Sequence, residues 1–505
     1  MSIDVAVESS SEPSRELWGH PRLLWMILTV TIGLNFGFYG FRAYLAPYIA
    51  QTFYASLGNA AAQSRADLLT SGFLALMYAT PIIGGYVADK ILGEARAIAI
   101  SLWLSAVGLL LMALPSLRGF EIGLALFALA VGLGIPLAVL IGRNYIESDP
   151  RREGGYTLFY LAINFGGFIA PFVCAVLIGK RFGYRWGFVA AAAGVVFGAA
   201  VFQSRLRSVR EIVPHTAVGR GSNYTLWAII IIAVLTYPTA VLLSFPEVLS
   251  VTMYALMGFL VLYFIVSCAR RRERVQSRRY LALSVLLIAF VLFWAFSLQG
   301  VTSLNFFARD YVDAPFDYTL FQSANPLYIL IFAVPLALLW PWLKRRGKDP
   351  STPRKFGIGL LLVALSYGLM AAGIRFAIGA DGKVGWELLA GCYLLQTLGE
   401  LSLAPIGYSL VGLLAAPDES SLAMGGWFFG MALAYQLAGW IATLTTQAAG
   451  TGAASAAGAA GATAAHSAIA AYGNVYSRLF VIGVVVSLVY LFAAPRVSKL
   501  MHGVH

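Results

Sequence analysis

Charged residues are scarce in this sequence of 505 residues. They make up 11% of the chain, against 59% for hydrophobic residues, whereas soluble proteins carry about 25% charged residues. The composition therefore excludes an ordinary soluble protein and predicts an α-helical protein that crosses a membrane many times. The net charge of +12 does not indicate a nucleic-acid partner, because the basic residues lie in short loops between apolar stretches.

Side chains that hold metals or perform catalysis are few and scattered. The histidines lie in loops or tails, at positions 20, 215, 466, 502 and 505. Cys174, Cys268 and Cys392 lie in apolar stretches, without the spacing of a metal site or of a disulfide framework. A Gly-x-x-x-x-Gly-Lys-Ser/Thr loop is also missing. The sequence therefore predicts no metal and no bound cofactor, and it argues against an ATP-driven pump, a channel and a membrane enzyme.

Apolar stretches long enough to cross a membrane as helices recur along the whole chain. Fourteen are predicted, at 22–50, 67–88, 94–114, 121–143, 156–179, 185–204, 223–244, 247–268, 279–302, 318–343, 355–376, 385–412, 419–447 and 473–495. Lys and Arg are concentrated in alternate loops, which places both termini in the cytoplasm by the positive-inside rule. The run from Arg270 to Arg274 is interpreted as part of this signal, with a lipid or partner site as the alternative. The first 20 residues are polar and acidic, unlike a signal peptide.

The spans suggest two six-helix halves separated by an inserted hairpin. The predicted organisation is an N-terminal tail (1–21), a first bundle (22–204), a linker with the hairpin (205–278), a second bundle (279–495) and a C-terminal tail (496–505). The hairpin is indicated by a short turn, Ser244 to Glu247, between two basic loops. The Ala/Gly-rich stretch 450–471 is predicted to be a mobile loop or a frayed helix extension without chemistry.

One carboxylate lies deep inside an apolar span. Glu400 belongs to the stretch LGELSLAPIGYS at 398–409. An ion at that depth costs several kcal/mol unless it is paired, hydrated or protonated, and such residues usually mark transport pathways. We therefore predict that Glu400 is the working residue of a membrane transporter. The alternative is a carboxyl group that ties helices together structurally.

Four stretches, in order along the chain, resemble the proton-dependent oligopeptide transporter (POT) family of the major facilitator superfamily. They are residues 78–85 with Asp89, residues 149–166, residues 321–327 and the Glu400 stretch, which is similar to the family pattern Gly-Glu-Leu-x-x-Ser-Pro-x-Gly. The resemblance covers most of the chain, and the extra hairpin resembles bacterial members. It implies the major facilitator fold, a bacterial inner-membrane location and a substrate site between two halves that rock to alternate access.

The resemblance also implies uptake of di- and tripeptides together with protons. A short peptide carries an ammonium group at one end and a carboxylate at the other, so a binding site must offer both charges and roomy walls. Arg42 is the base placed deep in a span, and by resemblance it attracts the substrate carboxylate. Glu400 receives the ammonium group or holds the coupling proton. The alternative for Arg42 is a side chain that reaches out to the membrane surface.

Six further residues are candidates for the pocket, and the four aromatic ones match pocket positions of the family. They are Tyr39, Tyr78, Asn164, Trp294, Asn325 and Trp427. The tyrosine hydroxyls can bond a carboxylate or an amide, and the asparagines offer both a donor and an acceptor to a peptide backbone. The alternative for the aromatic residues is helix packing, and for the asparagines it is a hydrogen bond between helices.

Several charges that the family usually carries are missing. The Glu-x-x-Glu-Arg motif of the first helix is replaced at Thr31, Leu34 and Asn35, a lysine is missing before Pro136, and Leu298 stands where an acid precedes Gln-Gly. Without the lysine, desolvation favours the neutral form of Glu400. We therefore predict that Glu400 carries the coupling proton and that the peptide ammonium group or Arg42 drives its release.

Other mechanisms and cargoes stay open at this point. The proton could instead reside on a substrate carboxylate or on bound water. The lost motif also permits a transporter of nitrate or of another small ion, or a weakly coupled peptide exchanger. The expected partners are short peptides, protons and membrane lipids, with no nucleic acid, and the expected state is a monomer.

Overall fold

The computed structural model describes residues 16–146, 149, 151–213, 222–270, 274–416, 420–455 and 461–502. Most of the predicted N-terminal tail, the middle of the basic run 270–274, His215 and the centre of the stretch 450–471 lie outside the described residues, as does the side chain of Cys268. The described chain is almost entirely helical, and we number its long helices α1 to α14 in chain order.

The first half contains six long helices. They are α1 (Arg22–Arg42), α2 (Asn59–Ala79), α3 (Glu94–Met112), α4 (Leu117–Leu133), α5 (Arg151–Ala170) and α6 (Tyr184–Ser204). Shorter helical segments extend or join them: Leu45–Phe53, Ala55–Leu57, Pro81–Val87, Ala88–Leu92, Pro136–Arg143, Pro171–Gly179, Lys180–Phe182 and Leu206–Ile212.

The hairpin and the second half follow. The hairpin consists of α7 (Ser222–Ser244) and α8 (Pro246–Arg270). The second half contains α9 (Arg274–Ser297), α10 (Ala324–Arg345), α11 (Thr352–Phe376), α12 (Trp386–Leu414), α13 (Ser420–Ser455) and α14 (Gly461–Leu500). Its shorter segments are Leu298–Val301, Ser303–Tyr311 and Tyr318–Ser323. Two two-residue strand pairs complete the structure: Glu16–Leu17 with His20–Pro21, and Val312–Asp313 with Val384–Gly385.

The predicted membrane architecture is confirmed. Within the described residues, 13 helical stretches are long and apolar enough to cross a membrane. The remaining predicted span, 385–412, corresponds to the continuous 29-residue helix α12, which carries Glu400. The Ala/Gly-rich stretch is helical on both of its described sides, because α13 continues to Ser455 and α14 starts at Gly461. Alanine is the strongest helix former, which explains this extension.

Several predicted spans are interrupted, and the breaks in the fourth and the ninth span have a local cause. The fourth span breaks after Leu133 and resumes at Pro136, because proline has no N–H for a helical hydrogen bond but suits the first turn of a new helix. The ninth span changes to a tighter helix at Leu298–Val301 before a new helix begins at Ser303. Such interruptions are tolerated in membranes when the freed backbone groups find partners inside the protein.

The two halves meet along two helix pairs. Helix α2 packs against α13, and α5 packs against α10. Within the first half α1 packs against α5 and α6, and within the second half α11 packs against α12 and α14. The hairpin lies beside this assembly, with α7 against α4 and α8 against α13. We therefore expect the substrate path between helices α1 and α2 of the first half and the helices α9 to α13 of the second half.

A close helix crossing inside the first half gives a direct test of this packing. A Cβ atom added to Gly84 would lie 2.3 Å from the carbonyl oxygen of Gly132 on α4. Because the obstructing atom is backbone, we expect Gly84→Ala to lower the free energy of unfolding by about 1–3 kcal/mol. Thermal melting of the detergent-purified protein measures this change.

A matched glycine in the hairpin provides the control. A Cβ atom added to Gly258 meets nothing within 4 Å, and alanine is the better helix former. Gly258→Ala should therefore leave the melting temperature unchanged or raise it. Equal melting temperatures for Gly84→Ala and the unmodified protein would contradict the close crossing of the segment Pro81–Val87 and α4.

The face opposite the termini is closed by contacts between the halves. We call the end of the molecule where α1 begins and α14 ends the terminal face, and the opposite end the distal face. Near the distal face, Lys180 Nζ lies 2.6 Å from Asp317 Oδ2, and Ser323 Oγ donates to the Phe168 carbonyl at 2.9 Å. Asn305 Nδ2 also donates to the carbonyl of Ala43 at 3.1 Å.

These distal contacts are individually weak. Lys180 keeps 55% of its side chain exposed, and exposed ion pairs contribute about 0–1 kcal/mol. A neutral hydrogen bond contributes about 1 kcal/mol net. The free energy with which a few such contacts favour the closed distal face is therefore small. A ligand with different affinities for the two conformations can reverse it.

Candidate functional site

A small cavity lies between the two halves. Its volume is about 80 Å³, well below the roughly 300–1,000 Å³ typical of small-molecule sites. The first half contributes Tyr39, Arg42 and Tyr78 to its lining, and the second half contributes Trp294, Ser297, Leu298, Gly300, Val301, Gln322, Asn325, Tyr393, Gln396, Glu400, Met431 and Tyr435. A peptide fits this space only after the halves have moved apart.

One acid and one base, each from a different half, line this cavity. Among the described lining residues, Glu400 is the only carboxylic acid and Arg42 is the only base. Arg42 comes from α1 in the first half and Glu400 from α12 in the second. A molecule that engages both charges therefore bridges the two halves.

Glu400 is held by a neighbouring helix while it faces the cavity. Its side chain is 8% exposed, and Asn325 Nδ2 on α10 donates to Glu400 Oε2 at 2.8 Å. The same amide nitrogen donates to Thr397 Oγ1 at 3.0 Å. Glu400 thus lines the cavity, which is the position predicted for it. It also ties α12 to α10, which is the structural role named as the alternative.

The face of α12 explains how the sequence positions this carboxyl group. Tyr393, Gln396 and Glu400 follow one another at intervals of three and four residues, which places them on one side of the helix. All three line the cavity. One helix face therefore supplies a hydroxyl, an amide and a carboxyl group to the same space.

The Arg42 guanidinium lies against aromatic rings inside the cavity. Its central carbon is 4.7 Å from the ring centroid of Tyr39 and 5.5 Å from that of Phe38. Such stacking stabilises a cation that has lost its water. Within the described part of the chain, Arg42 Nε is buried without a hydrogen-bond partner. The side chain thus lines the cavity instead of reaching the membrane surface, and it keeps a donor available.

The break in the ninth span supplies the cavity wall. The carbonyl oxygen of Gly300 accepts a hydrogen bond from Gln322 Nε2 at 2.5 Å and one from the Tyr393 hydroxyl at 3.2 Å. These bonds satisfy a backbone group that the interrupted helix leaves free. Gln299 Nε2 also donates to the Ala438 carbonyl at 3.0 Å and so ties the break to α13.

Aromatic residues form the remaining walls. The rings of Tyr78 and Tyr435 stack across the interface of the halves with centroids 5.3 Å apart. Trp294 lies beside Phe293 on α9, and its Nε1 is buried without a partner among the described residues. A ligand carboxylate or carbonyl can use this unpaired donor, as it can use Arg42 Nε, because an unpaired buried polar group costs free energy.

Two of the eight predicted site residues lie outside the cavity lining. Asn164 is 2% exposed, and its Nδ2 donates to the carbonyl of Tyr160 in its own helix at 2.8 Å. Trp427 packs against Phe290 with ring centroids 4.6 Å apart, and it borders an apolar groove beside the hairpin. The other six, Tyr39, Arg42, Tyr78, Trp294, Asn325 and Glu400, line the cavity together.

Sequence reasoning missed several lining residues. These are Ser297, Gln322, Tyr393, Gln396, Met431 and Tyr435. Tyr393 and Gln396 precede Glu400 by seven and four residues, so the helical repeat of the Glu400 face could have found them. Gln322 stands inside the quoted stretch 321–327, whereas Tyr435 carries no signal beyond its position in an apolar span.

Known sequences that are similar to this chain are those of transporters. The sequence model described as the POT family matches residues 95–459. The uncharacterized transporter YclF of Bacillus subtilis is 32% identical over 88% of this chain and 92% of its own length. Dipeptide and tripeptide permease B of Xenorhabdus bovienii is 30% identical over 97% of this chain and 99% of its own length.

Solved structures agree with the fold over nearly the full length. A crystal structure of the peptide transporter POT in complex with sulfate superposes with a TM-score of 0.81 at 28% identity, covering 99% of this chain and 100% of that one. A POT family transporter in complex with 5-aminolevulinic acid gives a TM-score of 0.79 at 26% identity, covering 96% and 99% of the two chains.

Proposed function

The chain belongs to the POT family, and we propose that it imports di- and tripeptides together with protons by alternating access between its two halves. The family assignment supports a transporter rather than an enzyme. Relatives named as dipeptide and tripeptide permeases support the cargo. The location supported by the apolar helices is a membrane crossed many times, and the expected compartment is a bacterial inner membrane.

The observation that carries the proposal is the pair of opposite charges in one cavity. A zwitterionic peptide presents its carboxylate to Arg42 and its ammonium group to Glu400, which come from different halves. Charge-assisted hydrogen bonds of this kind are about twice as strong as neutral ones. The related structure that holds 5-aminolevulinic acid contains a ligand with an amine at one end and a carboxylate at the other, which is the same chemistry.

Glu400 is the group best suited to carry the coupling proton. A carboxyl group with little water around it is stable as the neutral acid or as an anion paired with a cation. Before substrate binds, Asn325 contributes a neutral amide to Glu400 and no positive charge. The peptide ammonium group, or Arg42, then stabilises the anion and drives release of the proton on the cytoplasmic side, which links inward proton movement to substrate transport.

The missing family charges make this scheme simpler. Thr31, Leu34 and Leu298 occupy positions where acids are usual in the resembled family, and Leu298 lines the cavity without a titratable group. Glu400 then has no second cavity acid with which to share a proton among the described lining residues. Among these lining residues, one carboxyl group therefore binds and releases the coupling proton.

Orientation follows from the distribution of basic residues. The terminal face carries the basic loops and is expected to be cytoplasmic by the positive-inside rule. The distal face is then external, and the contacts of Lys180, Ser323 and Asn305 close it. We propose that the chain works as a monomer surrounded by lipid, because each chain contains both halves of the cavity.

Competition between unlabelled and labelled substrates tests the cargo. In proteoliposomes, di- and tripeptides should compete with uptake of a labelled dipeptide, because each presents an ammonium group and a carboxylate to Glu400 and Arg42. Nitrate and single amino acids at the same concentration should compete weakly. Inhibition by nitrate with none from any peptide would refute peptide transport and favour an ion as the cargo.

A further inference from the structure

A second carboxyl group is buried between the halves, away from the cavity. Asp67 on α2 has 0% of its surface exposed. Within the described residues, neither of its carboxylate oxygens has a hydrogen-bond partner. An ionised carboxylate without partners costs several kcal/mol in such a place, so the group is neutral or holds a cation in this conformation.

The position of Asp67 on α2 places it at the interface of the halves. One helical turn towards the distal face, Gln63 Nε2 donates to Asp310 Oδ2 of the second half at 3.3 Å. One turn the other way, Ser71 lies against Gly439 of α13, where an added Cβ would meet Ser71 Cβ at 2.7 Å. Residues 63, 67 and 71 share one helix face. Asp67 therefore lies between two contacts that join the halves.

Unsatisfied polar atoms accompany Asp67 on the same face of α2. Thr70 Oγ1 and Ser71 Oγ are both buried without partners among the described residues. Thr70 and Ser71 follow Asp67 by three and four residues, so all three side chains lie on neighbouring positions of the helix surface. A single unpaired hydroxyl is a common packing compromise, whereas three unpaired polar side chains in one patch point to a site for a small hydrophilic species.

The cations around this segment are already paired with other carboxylates. Arg309 bonds Asp310 at 2.6 and 2.8 Å. On the neighbouring helix α4, Arg118 pairs with Glu121 at 3.1 Å, and on α2 itself Arg65 lies 3.7 Å from Glu247 of the hairpin. Tyr472 of α14, in the second half, lies within electrostatic range of Asp67. A protein cation thus does not neutralise Asp67 in the described structure.

We propose that Asp67 is a second proton-binding site, loaded from the distal side when the halves separate, and that the distal face closes only when Asp67 is neutral. The proposal rests on the alternating access of the proposed function. When α2 and α13 part at their distal ends, water reaches Asp67 and the anion forms at little cost. Protonation then removes the charge that would otherwise be trapped between the halves, so an external proton favours closure.

Distance measurements between the two halves test this directly. The variants Asn59→Cys and Asp313→Cys, in a background with the three native cysteines replaced, place spin labels at exposed positions on opposite halves of the distal face. In lipid nanodiscs without peptide, lowering the pH should convert long label distances into short ones. One coupled proton changes this ratio by up to about tenfold per pH unit. Asp67→Asn should populate the short distance throughout the titration.

A buried but paired acid supplies the matched control. Glu121 on α4 is 1% exposed and bonded to Arg118, so Glu121→Gln should keep the pH dependence. A pH dependence in Asp67→Asn equal to that of the unmodified protein would overturn the proposal. Closure driven by Na⁺ at constant pH, relative to choline, would overturn the assignment to a proton and identify a sodium site instead.

A second readout keeps the test decisive if Asp67→Asn does not fold. Infrared difference spectra of the unmodified protein and Asp67→Glu should differ in the C=O stretching region of protonated carboxyl groups. Identical spectra there would contradict a proton on Asp67. Both measurements work without peptide, so failure of the peptide-transport proposal would appear separately, in the competition assay, and would not alter these results.

Discussion

Replacement of Glu400 with glutamine is expected to abolish pH-driven accumulation of peptide while leaving exchange intact. Glutamine keeps the shape of the side chain and an oxygen that can accept the bond from Asn325, but it cannot bind or release a proton. In proteoliposomes with an inward proton gradient, the variant should reach an inside-to-outside peptide ratio of about one. The unmodified protein can gain up to about tenfold per pH unit for each coupled proton. Counterflow of labelled against unlabelled peptide should persist in the variant.

An exposed acid on the same helix is the control for this experiment. Glu387 lies in the first turn of α12 and is exposed. Glu387→Gln removes the same charge from the same helix and should accumulate peptide like the unmodified protein. Full accumulation by Glu400→Gln would remove Glu400 from the coupling role and would favour a proton carried by the substrate carboxylate or by bound water.

Removal of the Arg42 charge is expected to cost the largest part of the binding free energy. Arg42→Gln leaves the peptide carboxylate without its cation in a cavity with little water. Loss of one partner of a buried charge pair costs about 2–5 kcal/mol, which corresponds to a Kd higher by roughly 30-fold to several thousand-fold. Isothermal titration of a dipeptide into the purified protein measures the change.

The chemistry of the lost contact can be separated from a general loss of structure. A dipeptide amidated at its C-terminus lacks the carboxylate, so Arg42→Gln should bind the free and the amidated dipeptide about equally, whereas the unmodified protein should prefer the free acid. Arg42→Lys keeps the charge without the planar fork and should fall between the two. An unchanged preference for the free acid in Arg42→Gln would show that another group receives the carboxylate.

The membrane helices were predictable because apolar length is a local property of the sequence. Each of the fourteen predicted spans corresponds to helical structure, and the errors lie at the ends and at internal breaks. Helix α5 begins at Arg151 rather than at residue 156, and α14 begins at Gly461 rather than at residue 473. Polar or small residues at helix ends do not reduce helix propensity enough to stop a helix that is already formed. Hydropathy therefore finds the span and misjudges how far it projects.

The cavity was predictable only in part, because it depends on how helices rotate against one another. Glu400, Arg42 and Asn325 stand out as polar residues in apolar spans, and the structure brings them to one cavity. Asn164 and Trp427 carry equally suggestive sequence signals, yet Asn164 bonds its own helix and Trp427 packs between α9 and α12. A single sequence does not determine which face of a helix turns inward.

Asp67 shows how an error in a helix end conceals a functional candidate. The predicted second span starts at residue 67, which places Asp67 at the membrane surface, where a carboxylate needs no explanation. In the structure α2 begins at Asn59, two turns earlier, and Asp67 has no exposed surface. Burial and the missing hydrogen bonds come from the packing of α2 against α13 and become visible only with coordinates.

The coupling of peptide to proton is the central claim, and the pH inside vesicles measures it most directly. Proteoliposomes that enclose a pH-sensitive dye, held at a potassium–valinomycin potential negative inside, receive a dipeptide from outside. The account predicts that the interior acidifies with the unmodified protein and stays unchanged with Glu400→Gln. Acidification of the same size with Glu400→Gln, or peptide uptake by the unmodified protein without acidification, would contradict it.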